Sequence, residues 1–84
     1  IGNHARDNPE KPFFLYLPLT APHTPWTPSD PFRGKSSAGI YGDFVMEIDH
    51  GIGQIVEQLR ESGLYENTMI IFSSDNGGVA EHNL

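Results

Sequence analysis

Ile40-Tyr41-Gly42-Asp43-Phe44-Val45-Met46-Glu47-Ile48-Asp49-His50-Gly51-Ile52-Gly53-Gln54-Ile55-Val56-Glu57-Gln58-Leu59-Arg60-Glu61-Ser62 is the stretch on which the reading of the fold turns. Its apolar residues Tyr41, Phe44, Val45, Ile48, Ile52, Ile55, Val56 and Leu59 recur at steps of three, four and one. At about 100° per residue they fall within a stripe roughly 120° wide, which predicts one amphipathic helix over about 40–62. Gly63 followed by Leu64 supplies a left-handed stop with its hydrophobic contact. Gly51 and Gly53 weaken the helix locally, by ~1 kcal/mol each.

Working outward from the helix, Phe13-Phe14-Leu15-Tyr16-Leu17 on one side is aromatic, apolar and stopped by Pro18. Thr68-Met69-Ile70-Ile71-Phe72-Ser73-Ser74 on the other is equally β-rich and ends at Asp75-Asn76-Gly77-Gly78. Both runs are apolar at consecutive positions, the pattern of parallel strands covered on both faces. The expectation is therefore an α/β fold. It consists of a right-handed βαβ unit with a strand over about 12–17, a loop over 18–39, the helix over about 40–62, a second parallel strand over about 68–74 and an Asp-Asn-Gly loop at 75–78. Because one helix covers only one face of a sheet, such a unit reads as a slice of a larger α/β domain. The initial Ile1, where a whole chain would start with Met, points the same way.

At 84 residues the chain makes at most one small domain with a thin core. Its 37% apolar content, with five Phe, three Tyr and one Trp, is that of folded material and not of a disordered tail. A formal charge of −6 with five Lys and Arg excludes a nucleic-acid partner, since so few cations cannot replace the counterions of a phosphate backbone. Cysteine is absent, which removes disulfides, thiolate metal sites and a cysteine nucleophile. No apolar run approaches the ~20 residues that span a bilayer, and Ile1-Gly2-Asn3-His4-Ala5-Arg6-Asp7 lacks the layout of a signal peptide.

Prolines at 18, 22, 25, 28 and 31 keep the 18–39 segment out of regular structure, and a loop of that length inside a domain is usually functional. Ligand sites in α/β sheets gather beyond the carboxyl ends of parallel strands. The first strand would lead into Thr20-Ala21-Pro22-His23-Thr24-Pro25 and the second into Ser74-Asp75-Asn76-Gly77, so both loops would share one sheet edge. His23, set between prolines, is placed for hydrogen bonding or proton transfer; it could equally cap loop carbonyls. Asp75 and Asn76 offer one charged and one neutral oxygen, which suits a hard cation, although Asp-Asn-Gly is also an ordinary turn. Asp49, at the border of the apolar stripe, is expected to make a structural hydrogen bond to the neighbouring loop. His50 lies on the solvated side of the helix, and His4 and His82 sit near the chain ends. Gly34-Lys35-Ser36 is not a phosphate loop, because Ser29 stands where the required glycine would be and no strand leads into it.

Taken together, Pro12-Phe13-Phe14-Leu15-Tyr16-Leu17 before Ala21-Pro22-His23-Thr24-Pro25, then Tyr41-Gly42-Asp43, the helix with Asp49 and Gly53, and Asn67-Thr68-Met69-Ile70-Ile71-Phe72-Ser73-Ser74-Asp75-Asn76-Gly77 resemble the sulfatase family, collinearly over roughly 11–78. The resemblance is to the arylsulfatase A-like group within the alkaline phosphatase superfamily. It implies that Asp75 and Asn76 are a metal-binding pair for Ca²⁺, and that His23 contacts the sulfate and assists departure of the alcohol. It also implies hydrolysis of a sulfate monoester, an aryl sulfate or a sulfated carbohydrate, by a formylglycine nucleophile. Further expectations from it are the rest of the parent sulfatase domain as a partner and a periplasmic or secreted location.

The departures are equally definite. Formylglycine is made from Cys or Ser in a Cys/Ser-x-Pro-x-Arg motif. Ser29-Asp30-Pro31-Phe32-Arg33 fits its bare core, but it follows the histidine loop and carries Phe where a small residue is usual. It reads as proline-rich loop, and the nucleophile is expected outside this chain, which alone would be inactive. The lysine expected after Asp-Asn-Gly would fall beyond Leu84. Competing readings are a phosphate or phosphonate monoesterase of the same superfamily and a non-catalytic acidic binding module.

Overall fold

A computed structural model describes residues 1–78. Two α-helices, α1 over Gly2–Asp7 and α2 over Gly39–Glu61, are joined by a long irregular segment containing a 3-10 turn at Asp30–Phe32, and a second 3-10 turn follows at Tyr65–Asn67. Among the described residues there is no β-strand. The expected βαβ unit is therefore corrected: the chain is a helical fragment, and among the described residues neither 12–17 nor 68–74 forms a strand.

The reason is physical. Both runs have strand composition, but a strand exists only where its backbone N–H and C=O groups meet a ladder partner. One helix would cover one face of such a pair of strands and leave the other, equally apolar face in water. The two runs lie open instead, with Phe14 91% and Ile71 81% exposed. A radius of gyration of 15.7 Å confirms the openness, since a compact domain of this length would have about 12 Å.

What order there is centres on α2, 23 residues long. Its end forms a Schellman motif: Leu64 N–H donates to Leu59 C=O at 2.9 Å and Gly63 N–H to Arg60 C=O at 3.0 Å. Gly63 takes φ 72°, the left-handed value this motif requires. Leu59, 3% exposed, is the buried apolar residue beneath that turn. At the other end no side chain caps the helix. There the chain packs tightly, and a Cβ on Gly42 would stand 2.5 Å from Ser36 Oγ and 2.7 Å from Ala38 Cβ. Asp43, 4% exposed, and Pro28, fully buried, complete this second cluster.

Candidate functional site: the histidine loop and the Asp-Asn pair

The 18–38 segment lacks N–H groups at its prolines, so its path is set by the donors that remain and by the acceptors they find. The first turns of α2 supply those acceptors. The Asp43 carboxylate accepts from Gly34 N–H at 2.7 Å and from Ser36 N–H at 2.9 Å. One turn further on, the Glu47 carboxylate accepts from Ser29 N–H at 3.0 Å and from the Ser29 hydroxyl at 2.5 Å. These bonds favour the charged forms and hold both carboxyls below their ordinary values, for Asp43 chiefly through the Gly34 amide and for Glu47 chiefly through the Ser29 hydroxyl. The Ser29 hydroxyl is thus committed to Glu47, as a loop residue would be. The Gly34 and Ser36 amides, which a phosphate loop would aim at an anion, point at Asp43.

A third tie lies nearer the histidine. The Trp26 ring packs on Tyr41 of α2 with centroids 5.2 Å apart. Its indole Nε1–H donates to the Pro22 carbonyl at 3.1 Å. Pro22 directly precedes His23, and cis peptide bonds at Ala21-Pro22 and Thr24-Pro25 bracket the histidine.

His23 itself is exposed on the rim of an open hollow of about 490 Å³ shared with Thr20, Thr24, Thr27 and Phe44. Its Nδ1 lies 2.7 Å from the Thr24 carbonyl oxygen, which can only accept, so Nδ1 carries a proton. The neutral ring then has a bare Nε2, and the protonated ring an Nε2–H. Either form suits exchange of a proton or a hydrogen bond with an oxyanion ester.

Asp75 and Asn76 are exposed. Asn76 is held locally: its Nδ2–H₂ donates to the Gly77 carbonyl at 3.1 Å, and its own carbonyl accepts from the Ser74 hydroxyl. With the amide nitrogen so engaged, Asn76 Oδ1 is left as an acceptor, and Asp75, its neighbour in sequence, contributes a carboxylate. This is a hard, oxygen-only donor pair, and it fits Ca²⁺ or Mg²⁺ chemically while supplying at most about three of the six to eight oxygens Ca²⁺ takes. Among the described residues no three His, Asp or Glu side chains gather into a metal-binding group.

The residues singled out in the sequence are thus placed unequally. His23 lies in a structured loop pinned to α2. The shared sheet edge expected to unite it with Asp75-Asn76 does not form, and among the described residues no hydrogen bond joins the two. Asp49 makes none of the loop contacts expected of it; Asp43 and Glu47 make them. An i, i+4 carboxylate pair facing a proline-rich loop whose remaining N–H groups need acceptors is the signal that marks those two. His50 is exposed, with its ring 5.4 Å from that of Phe32. His82 lies outside the described residues.

Comparison with known proteins agrees with the motifs. The sulfatase family model matches residues 3–83. The chain is 50% identical over 66 residues, 79% of its length, to the N-acetylgalactosamine-6-sulfatase of Homo sapiens, and 47% identical over 68 residues, 81% of its length, to that of Canis lupus familiaris. It is 43% identical over 72 residues, 86% of its length, to the N-acetylgalactosamine-6-O-sulfatase of Bacteroides thetaiotaomicron. The matched stretch covers 13% of each of the two mammalian relatives and 14% of the bacterial one. No solved structure matches. With a family model that takes in nearly all of its residues, the chain belongs to the sulfatase family.

Proposed function

We propose that this chain is the part of a sulfate monoester hydrolase that supplies the sulfate-contacting histidine, His23, and one pair of metal ligands, Asp75 and Asn76. The observation that carries the reading is the family match across residues 3–83, which takes in both motifs in order. Names shared across distant organisms support a substrate class: the mammalian relatives are N-acetylgalactosamine-6-sulfatases and the bacterial one an N-acetylgalactosamine-6-O-sulfatase. A carbohydrate 6-sulfate is accordingly the preferred substrate class, with aryl sulfates as small surrogates. A periplasmic or secreted location accords with such a substrate.

In this reading Asp75 and Asn76 Oδ1 would hold Ca²⁺. When bound, the ion offsets the negative charge of the sulfate group as a Lewis acid. The Nδ1–H bond to the Thr24 carbonyl restrains the His23 ring, and Nε2 is the nitrogen left for the substrate. In the protonated ring Nε2–H donates a hydrogen bond to a sulfate or bridging oxygen and yields that proton to the departing alcohol, leaving the neutral ring with its proton on Nδ1. The threonines on the rim add neutral hydroxyl donors suited to an oxyanion. The chain contains no cysteine, and Ser29 is engaged by Glu47, so the formylglycine would stand outside these 84 residues.

Turnover of a matched pair of esters tests the assignment. The full-length protein should hydrolyse N-acetylgalactosamine 6-sulfate or 4-nitrophenyl sulfate far faster than 4-nitrophenyl phosphate or a phosphonate monoester. His23→Ala should lower kcat by about 10²- to 10⁴-fold, the usual worth of a general acid. Preference for the phosphorus esters would instead assign the chain to another hydrolase class.

A further inference from the structure

We propose that Trp26 is a positioning residue for His23, transmitting the fixed frame of α2 to the imidazole through a single indole hydrogen bond. This rests on the reading of His23 as the sulfate-contacting histidine. Three observations combine. The Trp26 ring is seated on Tyr41, a residue of the first turn of α2, at 5.2 Å. Its Nε1–H reaches the carbonyl of Pro22, the residue just before His23, at 3.1 Å. Directly after Pro28, Ser29 is clamped by both oxygens of Glu47, so the segment that carries Trp26 is anchored on its far side as well.

Between these anchors the histidine has little backbone latitude. His23 N–H donates to Thr20 C=O at 3.1 Å, and the ring is tied to the Thr24 carbonyl. Among the described residues no side chain hydrogen-bonds the His23 imidazole except the neighbouring Thr24 hydroxyl at 3.4 Å. The ring's direction is thus set by where its own backbone lies, and the indole bond to Pro22 ties that backbone to the Trp26 ring packed on Tyr41 of α2. Removing the N–H while keeping an aromatic ring on Tyr41 should let the Pro22-His23 unit rotate without unfolding the loop.

The test uses the full-length enzyme with Trp26→Phe, which keeps an aromatic ring against Tyr41 and deletes the donor, measured alone and in a His23→Ala background. Loss of one hydrogen bond predicts a fall in kcat for 4-nitrophenyl sulfate of about three- to tenfold with KM nearly unchanged. In the His23→Ala background the same substitution should cost nothing further, because its effect passes through the imidazole. An equal cost in both backgrounds, or none in either, overturns the proposal. Ring ¹⁵N shifts of His23 in histidine-labelled enzyme read the positioning without turnover: Trp26→Phe should move them, and unchanged shifts also overturn it. Should His23→Ala leave kcat intact while Trp26→Phe still shifts the ring, the functional reading of His23 fails and the positioning role stands.

Discussion

The same substitution at two places in one helix should act with opposite sign. Gly51→Ala adds a methyl with nothing within 4 Å of it, so the change acts only on backbone entropy and helix propensity. It should stabilise α2 by about 0.4–1 kcal/mol. Gly42→Ala gains the same propensity but places its Cβ 2.5 Å from Ser36 Oγ and 2.7 Å from Ala38 Cβ. The Ser36 side chain cannot swing aside freely, because its hydroxyl donates to Gly39 C=O at 3.1 Å and accepts from Ala38 N–H at 3.2 Å. The Ala38 methyl has no rotamer to change, so backbone must move. Overpacking of this kind costs about 1–3 kcal/mol, and each of the two hydrogen bonds put at risk about 0.5–1.5 kcal/mol. After the propensity gain is subtracted, a net loss of roughly 1–3 kcal/mol remains. Urea unfolding of the chain, followed by circular dichroism at the helical band, reads both variants against the parent. A Gly42→Ala midpoint at or above that of Gly51→Ala would refute the close approach of the 36–38 segment to α2.

Other expectations follow from the same contacts. Leu59→Ala, deleting the buried side chain under the Schellman turn, should cost about 2–3 kcal/mol, the lower end for core truncations because the surrounding cluster is small. The unfolding midpoint reads it, and an unchanged midpoint would show Leu59 to be dispensable. Asp43 and Glu47 have folded-state pKa values lowered by the loop amides and the Ser29 hydroxyl. The stability they contribute should be complete above the ordinary carboxylate range of about 4 and should disappear as pH falls through their lowered values. In Asp43→Asn with Glu47→Gln the acid limb of a stability-versus-pH curve should flatten; an unaltered limb would remove these groups from the account.

How much of this was legible beforehand differs by element. The helix announces itself because its stripe, from Tyr41 to Leu59, and its stop at Gly63-Leu64 are both local properties. The two β-rich runs misled because propensity is local while pairing is not: Phe13–Leu17 and Met69–Phe72 carry strand composition, yet nothing in these residues supplies a ladder. For the site, His23 and Asp75-Asn76 could be picked out by residue type and by family pattern. The sheet edge meant to bring them together went with the sheet. Trp26, Asp43 and Glu47 were missed for a different reason. Their partners are backbone groups of a proline-rich loop, and which amide meets which carboxylate depends on how that loop folds back on α2. Only the i, i+4 spacing of the two carboxylates hinted at it.

The central claim is that Asp75 and Asn76 hold the cation of a sulfatase site to which His23 also belongs. Its most direct test is the initial rate of sulfate release by the full-length enzyme as a function of Ca²⁺ concentration, with Asp75→Ala beside the parent. The account predicts a saturable Ca²⁺ dependence for the parent after chelation. For Asp75→Ala it predicts a rate at least about 10²-fold lower at the same Ca²⁺, since the ligand that neutralises the ion most strongly is gone. Equal rates and equal Ca²⁺ dependence in the two proteins would contradict it.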